Sequence, residues 1–149
     1  MKRLICLLLC LVTLISMGSV SAWAATPETV APYYNNVDGT QSSFSIDENG
    51  YATLAVPYIG YPGITTGATI TIKLQKRGAF GLYWSDVNLT GDDATDNMIV
   101  INSNEVAFSK SYGIQLNFTG TYRAVINYTI YGTAGAADQD EDVLTYTYS

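Results

Sequence analysis

The residues best suited to chemistry in this sequence are carboxylates near the C-terminal end of the chain. Asp138, Asp140 and Asp142 occupy alternate positions, and oxygen ligands at alternate positions are typical of sites for hard cations such as calcium. An EF-hand loop starting at Asp138 would need Gly at its sixth position and Glu at its twelfth. Val143 and Ser149 stand there instead, so the segment does not satisfy that motif.

A second acidic segment contains Asp92, Asp93 and Asp96, which could add oxygen ligands. Both segments are flanked by Gly, Ala and Asn, so they fit solvated turns at least as well as they fit a cation site. Two interpretations therefore stay open for these six carboxylates. They form a calcium-binding surface, or they are plain surface charge.

The chain contains few residues that are suited to catalysis. After residue 24 the sequence contains neither His nor Cys, which removes the commonest general base and the thiol nucleophile. No Ser stands three residues before a Lys, and acids in open loops would be solvated, with no reason for a raised pKa. We therefore expect no enzyme, no catalytic residues and no cofactor.

Tyrosine is unusually frequent, with twelve residues that all follow residue 24. Tyr and Trp form sugar-stacking platforms and contact hot spots, although they are also good strand residues. The sequence leaves open whether Trp84 points inward as a core anchor or outward as a platform. The candidates for a ligand or partner surface are Tyr58, Tyr61, Trp84 and Tyr131, and Tyr33, Tyr34 and Tyr83 are the other tyrosines expected to be exposed.

The N-terminal residues are typical of a cleaved signal peptide. Lys2 and Arg3 precede an apolar run over residues 4–17, and an Ala-Trp-Ala sequence ends at Ala24. The run is short for a membrane-spanning helix, which makes a retained anchor the weaker interpretation. We expect cleavage between Ala24 and Ala25 and secretion of residues 25–149 to the extracellular side or the cell surface.

The composition of the secreted part restricts its partners. Both cysteines, Cys6 and Cys10, lie in the predicted signal peptide, so the mature domain would contain no disulfide. The chain has thirteen acidic and seven basic residues, and two of the basic ones precede residue 24. Such an acidic surface argues against binding nucleic acid or an anionic membrane.

Period-two alternation of apolar residues, broken by Gly, Asn and Asp, predicts an all-β domain of seven or eight antiparallel strands in a β-sandwich. An extended segment over 25–41 would precede the sandwich, which would occupy 42–149. Asn49-Gly50 predicts a tight turn between the first two strands. The predicted strands are 42–47, 51–57, 69–76, 82–89, 98–111, 121–131 and 143–148.

Successive antiparallel strands alternate in direction, which predicts where the loops lie. If 98–111 is one strand, the loops 58–67, 90–97 and 132–142 share one end of the sandwich, and Lys76 and Arg77 lie at the other. The domain would then carry the carboxylates of these loops at one end, together with Tyr58 and Tyr61. The inference fails if 98–111 contains two antiparallel strands.

Two resemblances follow from short motifs. The segment around Tyr122 resembles the tyrosine corner of immunoglobulin-like domains, in which a Tyr hydroxyl binds the backbone upstream. That resemblance implies that alternate residues from Tyr122 to Ile130 point inward, and that Arg123, Asn127, Thr129 and Tyr131 point outward. Ala124 stands where immunoglobulins have a cysteine, and the strand 69–76 has no Trp.

Three further motifs occur after residue 24: Tyr-Tyr-Asn-Asn at 33–36, Ile-Lys-Leu-Gln-Lys at 72–76 and Gly-Thr-Tyr-Arg at 120–123. With them, most of the mature chain resembles short secreted immunoglobulin-like proteins of Gram-positive bacteria, a group to which no activity is assigned. We expect a non-catalytic extracellular module that contacts a protein, a cell-wall component or its own copies. The alternatives are a carbohydrate-binding module that uses Trp84 and exposed tyrosines, and a calcium-binding surface domain.

Overall fold

The structure is a computed structural model, and it describes residues 34–89, 94–95 and 97–149. Within these ranges the chain is all-β and antiparallel, with twelve strands and one 3-10 turn at Ala79–Gly81. The predicted signal peptide, the Ala24–Ala25 cleavage site, Tyr33 and the acidic residues Asp92, Asp93 and Asp96 lie outside the described residues.

The strands are short except for three long ones that follow the most regular alternation in the sequence. Their bounds are β1 Val37–Thr40, β2 Ser43–Ile46, β3 Tyr51–Ala55, β4 Tyr58–Gly60, β5 Thr65–Arg77, β6 Trp84–Asp86, β7 Ala94–Thr95, β8 Met98–Ser103, β9 Ala107–Phe108, β10 Ser111–Gln115, β11 Gly120–Gly132 and β12 Asp138–Tyr148.

The strand number exceeds the predicted seven or eight because two predicted strands are interrupted. The strand predicted over 51–57 is β3, which ends at Ala55 because Pro57 has no N–H to donate to a neighbouring strand. Strand pairing resumes in β4. Residues 98–111 divide into β8, β9 and the first residue of β10, each paired with a different strand. This division also removes the assumption on which the predicted distribution of loops rested.

The largest sheet has the order β12–β11–β5–β8–β7, and β6 pairs with the last residues of β5. Its centre is the pair β5–β11, in which Tyr122 lies opposite Lys76 and Tyr131 opposite Gly67. On the other side of β11, Gly120 lies opposite Tyr148 and Ile130 opposite Asp138. The register places the end of β5, the start of β11 and the end of β12 side by side.

Two three-stranded sheets accompany the large one, with the orders β10–β3–β2 and β1–β4–β9. Because β1 pairs with β4 and buries Val37, the folded part begins upstream of residue 42, the boundary that the sequence predicted. The turn between β2 and β3 is as predicted. Gly50 adopts a left-handed φ of 77°, and its N–H donates to the Asp47 carbonyl at 3.1 Å.

The core forms from alternate residues of the long strands, which is the burial pattern that period-two alternation predicts. Its members in β5 and β11 are each 2% exposed or less, and burial of one large aliphatic side chain contributes about 1.5–3 kcal/mol. The prediction for β11 is confirmed on both faces. The inward residues of the pair are Ile70, Ile72, Leu74, Tyr122, Ala124, Ile126, Tyr128 and Ile130, and the opposite face carries Arg123, Asn127, Thr129 and Tyr131.

The separation of charge between two ends was predicted from acidic loops, but residues 138–142 form part of a strand. Asp138 to Asp142 are strand residues that run along β12, because the Asp-x-Asp alternation matches the period of a strand. The strand register places Asp138 opposite Ile130 and Asp142 opposite Ile126, whereas Lys76 lies opposite Tyr122. These acidic residues of β12 and Lys76 therefore lie toward different ends of the large sheet.

Candidate functional site

The first candidate site is the acidic face of β12, on which Asp138 has a structural role. Its carboxylate is only 7% exposed and accepts three backbone N–H groups from the segment that leads into β1. Asn36 donates at 2.6 Å and Val37 at 3.1 Å to Oδ2, and Asn35 donates at 3.0 Å to Oδ1. These backbone donors satisfy the oxygens of a buried carboxylate, which would otherwise cost free energy on burial.

Asp140 and Asp142 continue the same pattern along β12. The Thr40 hydroxyl donates to Asp140, and the Ser42 N–H donates to Asp142 at 3.3 Å. All three carboxylates therefore bind the segment 35–42, about a hundred positions earlier in the chain. We call these contacts the acidic clasp (Asp138, Asp140 and Asp142 with residues 35–42).

The acidic clasp also perturbs two tyrosines. Desolvation by burial, a hydrogen bond to Asp140 and the nearby negative charges raise the pKa of Tyr34 to about 12. Burial, partly opposed by a hydrogen bond with Ser42, raises the pKa of Tyr128 to about 12 as well. In both cases the environment disfavours the tyrosinate anion, so these hydroxyls act as neutral hydrogen-bonding groups.

The carboxylates are therefore not arranged as the calcium site that their spacing suggested. Each has a protein partner, and the described part of the chain contains no group of three or more Asp, Glu, His or Cys residues that could hold a metal ion. The second predicted set, Asp92, Asp93 and Asp96, lies outside the described residues.

The second candidate site, the predicted tyrosine surface, is not assembled. Tyr58 is only 1% exposed, because its ring stacks on Phe108 and its hydroxyl donates to the Glu105 carbonyl at 2.6 Å. Desolvation also raises its pKa. The prediction of Tyr58 as an exposed contact residue is therefore wrong. Tyr61 is partly buried at a turn, where its N–H donates to Thr65 Oγ1 at 2.7 Å.

Trp84 and Tyr131 lie on the outer face of the large sheet, but they are far apart. Trp84 pairs with Arg77, and Tyr131 pairs with Gly67 at the opposite end of β5. Ten residues of strand separate these positions, which is about 33 Å. The outer face does carry a shallow groove of about 480 Å³ between them, lined by β5, β8, β11 and β12.

Side chains at the Trp84 end of the groove form a chain of contacts. The Arg123 guanidinium lies over the Trp84 ring at 4.3 Å from its centroid, and Arg123 Nε donates to Gln75 Oε1 at 2.8 Å. Gln75 Nε2 in turn donates to Asp86 Oδ1 at 2.7 Å. Trp84 is half-buried, and its ring packs against the Arg123 guanidinium. It is therefore neither a fully buried core residue nor a fully open platform for a ligand.

A third candidate, which was not predicted from the sequence, is the loop between β5 and β6. We call it the tip loop (Gly78–Tyr83). Phe80 is 95% exposed and Leu82 is 82% exposed, and Tyr83 is exposed beside them. The signal that could have found the site is the apolar residues beside Gly78 and Gly81, since turns ordinarily carry polar ones.

The backbone holds Phe80 outward at an energetic cost. Phe80 has φ 61° and ψ 10°, a left-handed conformation that a bulky residue rarely adopts. Gly81 follows with φ 70°, and the Gly78 N–H closes the loop on the Tyr83 carbonyl at 2.9 Å. Residues held in strained backbone conformations cluster at functional sites, so Phe80 is a candidate contact residue.

A second exposed aromatic lies at the same end of the large sheet. Phe118 is 69% exposed, and the Lys76 ammonium lies 4.9 Å from the centre of its ring. Four residues later, the Tyr122 hydroxyl donates to the Phe118 carbonyl at 2.6 Å, the kind of bond to the upstream backbone that a tyrosine corner makes. Burial raises the pKa of Tyr122.

Comparisons of the chain with protein-family models, curated proteins and solved structures gave no match. In the described part of the chain no helix is long and apolar enough to cross a membrane. The class that the fold defines is therefore an all-β antiparallel domain. Three local features remain for a functional argument: the acidic clasp, the outer groove and the tip loop.

Proposed function

We propose that this chain is a secreted, non-catalytic module that contacts a partner protein through its tip loop. The observation that carries the proposal is the near-complete exposure of Phe80 and Leu82 on one short loop. Exposure of apolar side chains to water is unfavourable. A partner that covers them gains free energy of roughly 25 cal/mol for each Å² of apolar surface that is buried. The left-handed backbone of Phe80 adds strain, on the order of 1–2 kcal/mol, for no gain within the domain.

The chemistry around the tip loop favours a partner with an apolar pocket and an acidic rim. Arg77 Nε donates to the Gly81 carbonyl at 3.4 Å, so a guanidinium lies against the loop. Lys76 precedes it and lies over Phe118. Basic groups around apolar residues are complementary to carboxylates around a pocket, and such complementarity orients the two partners.

The wider proposal includes an immunoglobulin-like sandwich. Two features support it: the pairing of β2 with β3 and of β3 with β10, and the order β12–β11–β5–β8 in the large sheet. Immunoglobulin-like domains divide their strands between two sheets in this way. The hydrogen bond from Tyr122 to the Phe118 carbonyl supports it as well.

Secretion is a separate part of the proposal, and it rests on the sequence before Ala25. Its test is the intact mass of the protein recovered from culture medium. We expect a chain that begins at Ala25. A recovered protein that still contains Cys6 or Cys10 would contradict cleavage at this position.

The contact surface is testable by photocrosslinking in the cells that secrete the protein. The variants are Phe80→p-benzoylphenylalanine at the tip loop and Ile59→p-benzoylphenylalanine as the control. Ile59 is an apolar residue that is 58% exposed in β4, away from the tip loop. We expect one discrete crosslinked protein from position 80 and none from position 59.

The remaining outcomes contradict the proposal. Diffuse or absent crosslinks from position 80 would mean that the tip loop has no specific partner. A crosslinked product of twice the protein's own mass would assign the loop to self-association and overturn the choice of a different protein. Equal crosslinks from both positions would show non-specific adhesion.

A further inference from the structure

The outer groove is independent of the tip loop, and its lining suggests a ligand class. Donors and acceptors face each other across it. Lys73 and Arg123 offer N–H groups, whereas Glu141 offers a carboxylate and Asn127 offers an amide with both functions. The strand register puts these residues on one face, with Asn127 opposite Glu141 and Val125 opposite Lys73.

Such a mixture differs from what an anion site requires. A phosphate or sulfate site gathers donors and excludes carboxylates, because a carboxylate repels the ligand. Sugar hydroxyl groups are both donors and acceptors, so they need both kinds of partner at the same place. The aliphatic side chains of Val125 and Val143 also line the groove and suit the C–H faces of a sugar ring.

The groove has suitable dimensions for a short oligosaccharide. It crosses four adjacent strands, from β12 to β8, which is about 14 Å at the usual spacing of strands. Its volume of about 480 Å³ lies within the range of roughly 300–1,000 Å³ that small-ligand sites occupy.

One of the donors is held in place before any ligand arrives. Trp84 supports the Arg123 guanidinium from one face, and Gln75, itself bound to Asp86, accepts from Arg123 Nε. These contacts leave the terminal amino groups as the atoms that can turn toward the groove. A guanidinium that is already oriented loses less side-chain entropy when it binds.

We propose that the outer groove binds a neutral oligosaccharide, with Arg123, Asn127 and Glu141 as the contact residues. Trp84 is a positioning residue here, because it acts through Arg123.

The test measures retention of the full protein on immobilised neutral glycans: glucan, xylan and chitin oligomers. Polygalacturonate serves as the acidic comparison. Asn127→Ala removes an exposed amide inside the groove. Its matched control is Gln139→Ala, which removes an exposed amide two positions from Glu141 on the same face of β12. We expect saturable binding to one neutral glycan, weakened about tenfold by Asn127→Ala and unchanged by Gln139→Ala.

Further variants separate this proposal from its alternatives. Glu141→Gln should weaken neutral binding because a charged acceptor is lost, while an anion site would bind more tightly after the same change. Binding to polygalacturonate alone would overturn the proposal, and so would the absence of binding to every probe. Phe80→Ser at the tip loop should retain glycan binding, so failure of the proposed protein contact and failure of the glycan site can be told apart.

Discussion

Replacement of Asp138 by Ala removes the acceptor of three backbone N–H groups that lead into β1. The Asn36 and Val37 amides are buried, so water cannot replace the carboxylate at those two positions, whereas Asn35 is partly exposed. An unsatisfied buried donor costs about 1–3 kcal/mol. Loss of one partner from a buried charged network commonly costs about 3–5 kcal/mol. We expect Asp138→Ala to lower the free energy of unfolding by about 3–5 kcal/mol.

Asp138→Asn provides a graded comparison. Its amide oxygen can take the place of Oδ2 and keep the Asn36 and Val37 bonds, while its NH₂ group faces the Asn35 donor. The cost should therefore be about 1–3 kcal/mol, which is one lost acceptor. The assay is equilibrium unfolding in urea, in which a change of midpoint at constant slope reports stability.

Glu141→Ala is the control, because this exposed carboxylate lies on the other face of the same strand. Surface changes of this kind usually stay within about 0.5 kcal/mol. If Asp138→Ala matched the control, the carboxylate would contribute nothing to holding the N-terminal segment. The assignment of the acidic clasp as a structural feature would then be refuted.

Three further outcomes are expected. Tyr122→Phe should cost about 1–3 kcal/mol because the Phe118 carbonyl loses its donor, and Tyr131→Phe, whose hydroxyl is exposed, should change little in the same urea assay. The pKa values of Tyr34 and Tyr128 are raised from 10.0 to about 12, so the folded state holds these protons more tightly. The stability that follows from this difference is complete below pH 10 and is lost as the pH rises from about 10 to about 12. Urea unfolding midpoints measured across this pH range should therefore fall, and they should fall less in Tyr128→Phe. Phe80→Asn should raise stability by up to about 1 kcal/mol in the urea assay, because Asn tolerates the left-handed backbone, and a destabilised variant would contradict the strain.

Alternation in the sequence was sufficient to predict the core of the large sheet. The inward residues of β11 repeat every second position from Tyr122 to Ile130, and a one-residue slip would expose all of them. The tight turn at Asn49-Gly50 was predictable for a similar reason, since few residues tolerate a positive φ. Both features depend on neighbours in the sequence.

The candidate sites depend on contacts between distant residues, and these were harder to predict. Acids flanked by Gly and Ala look solvated, and only the fold shows that Asp138 receives three backbone donors from positions about a hundred residues earlier. Tyr58 follows Pro57 and looked like a loop residue, but pairing with β9 buries it. Arg123 was predicted to point outward, while its stacking on Trp84 needed the register of β5, β6 and β11.

The acidic clasp also sets the order in which the chain can complete its fold. The amides of Asn36 and Val37 find their acceptor on Asp138, in the last strand of the chain. A growing chain that still lacks residue 138 cannot bury those amides without leaving them unpaired. Closure of so long a loop also delays folding. The segment that leads into β1 therefore cannot complete its hydrogen bonding until the start of β12 is in place.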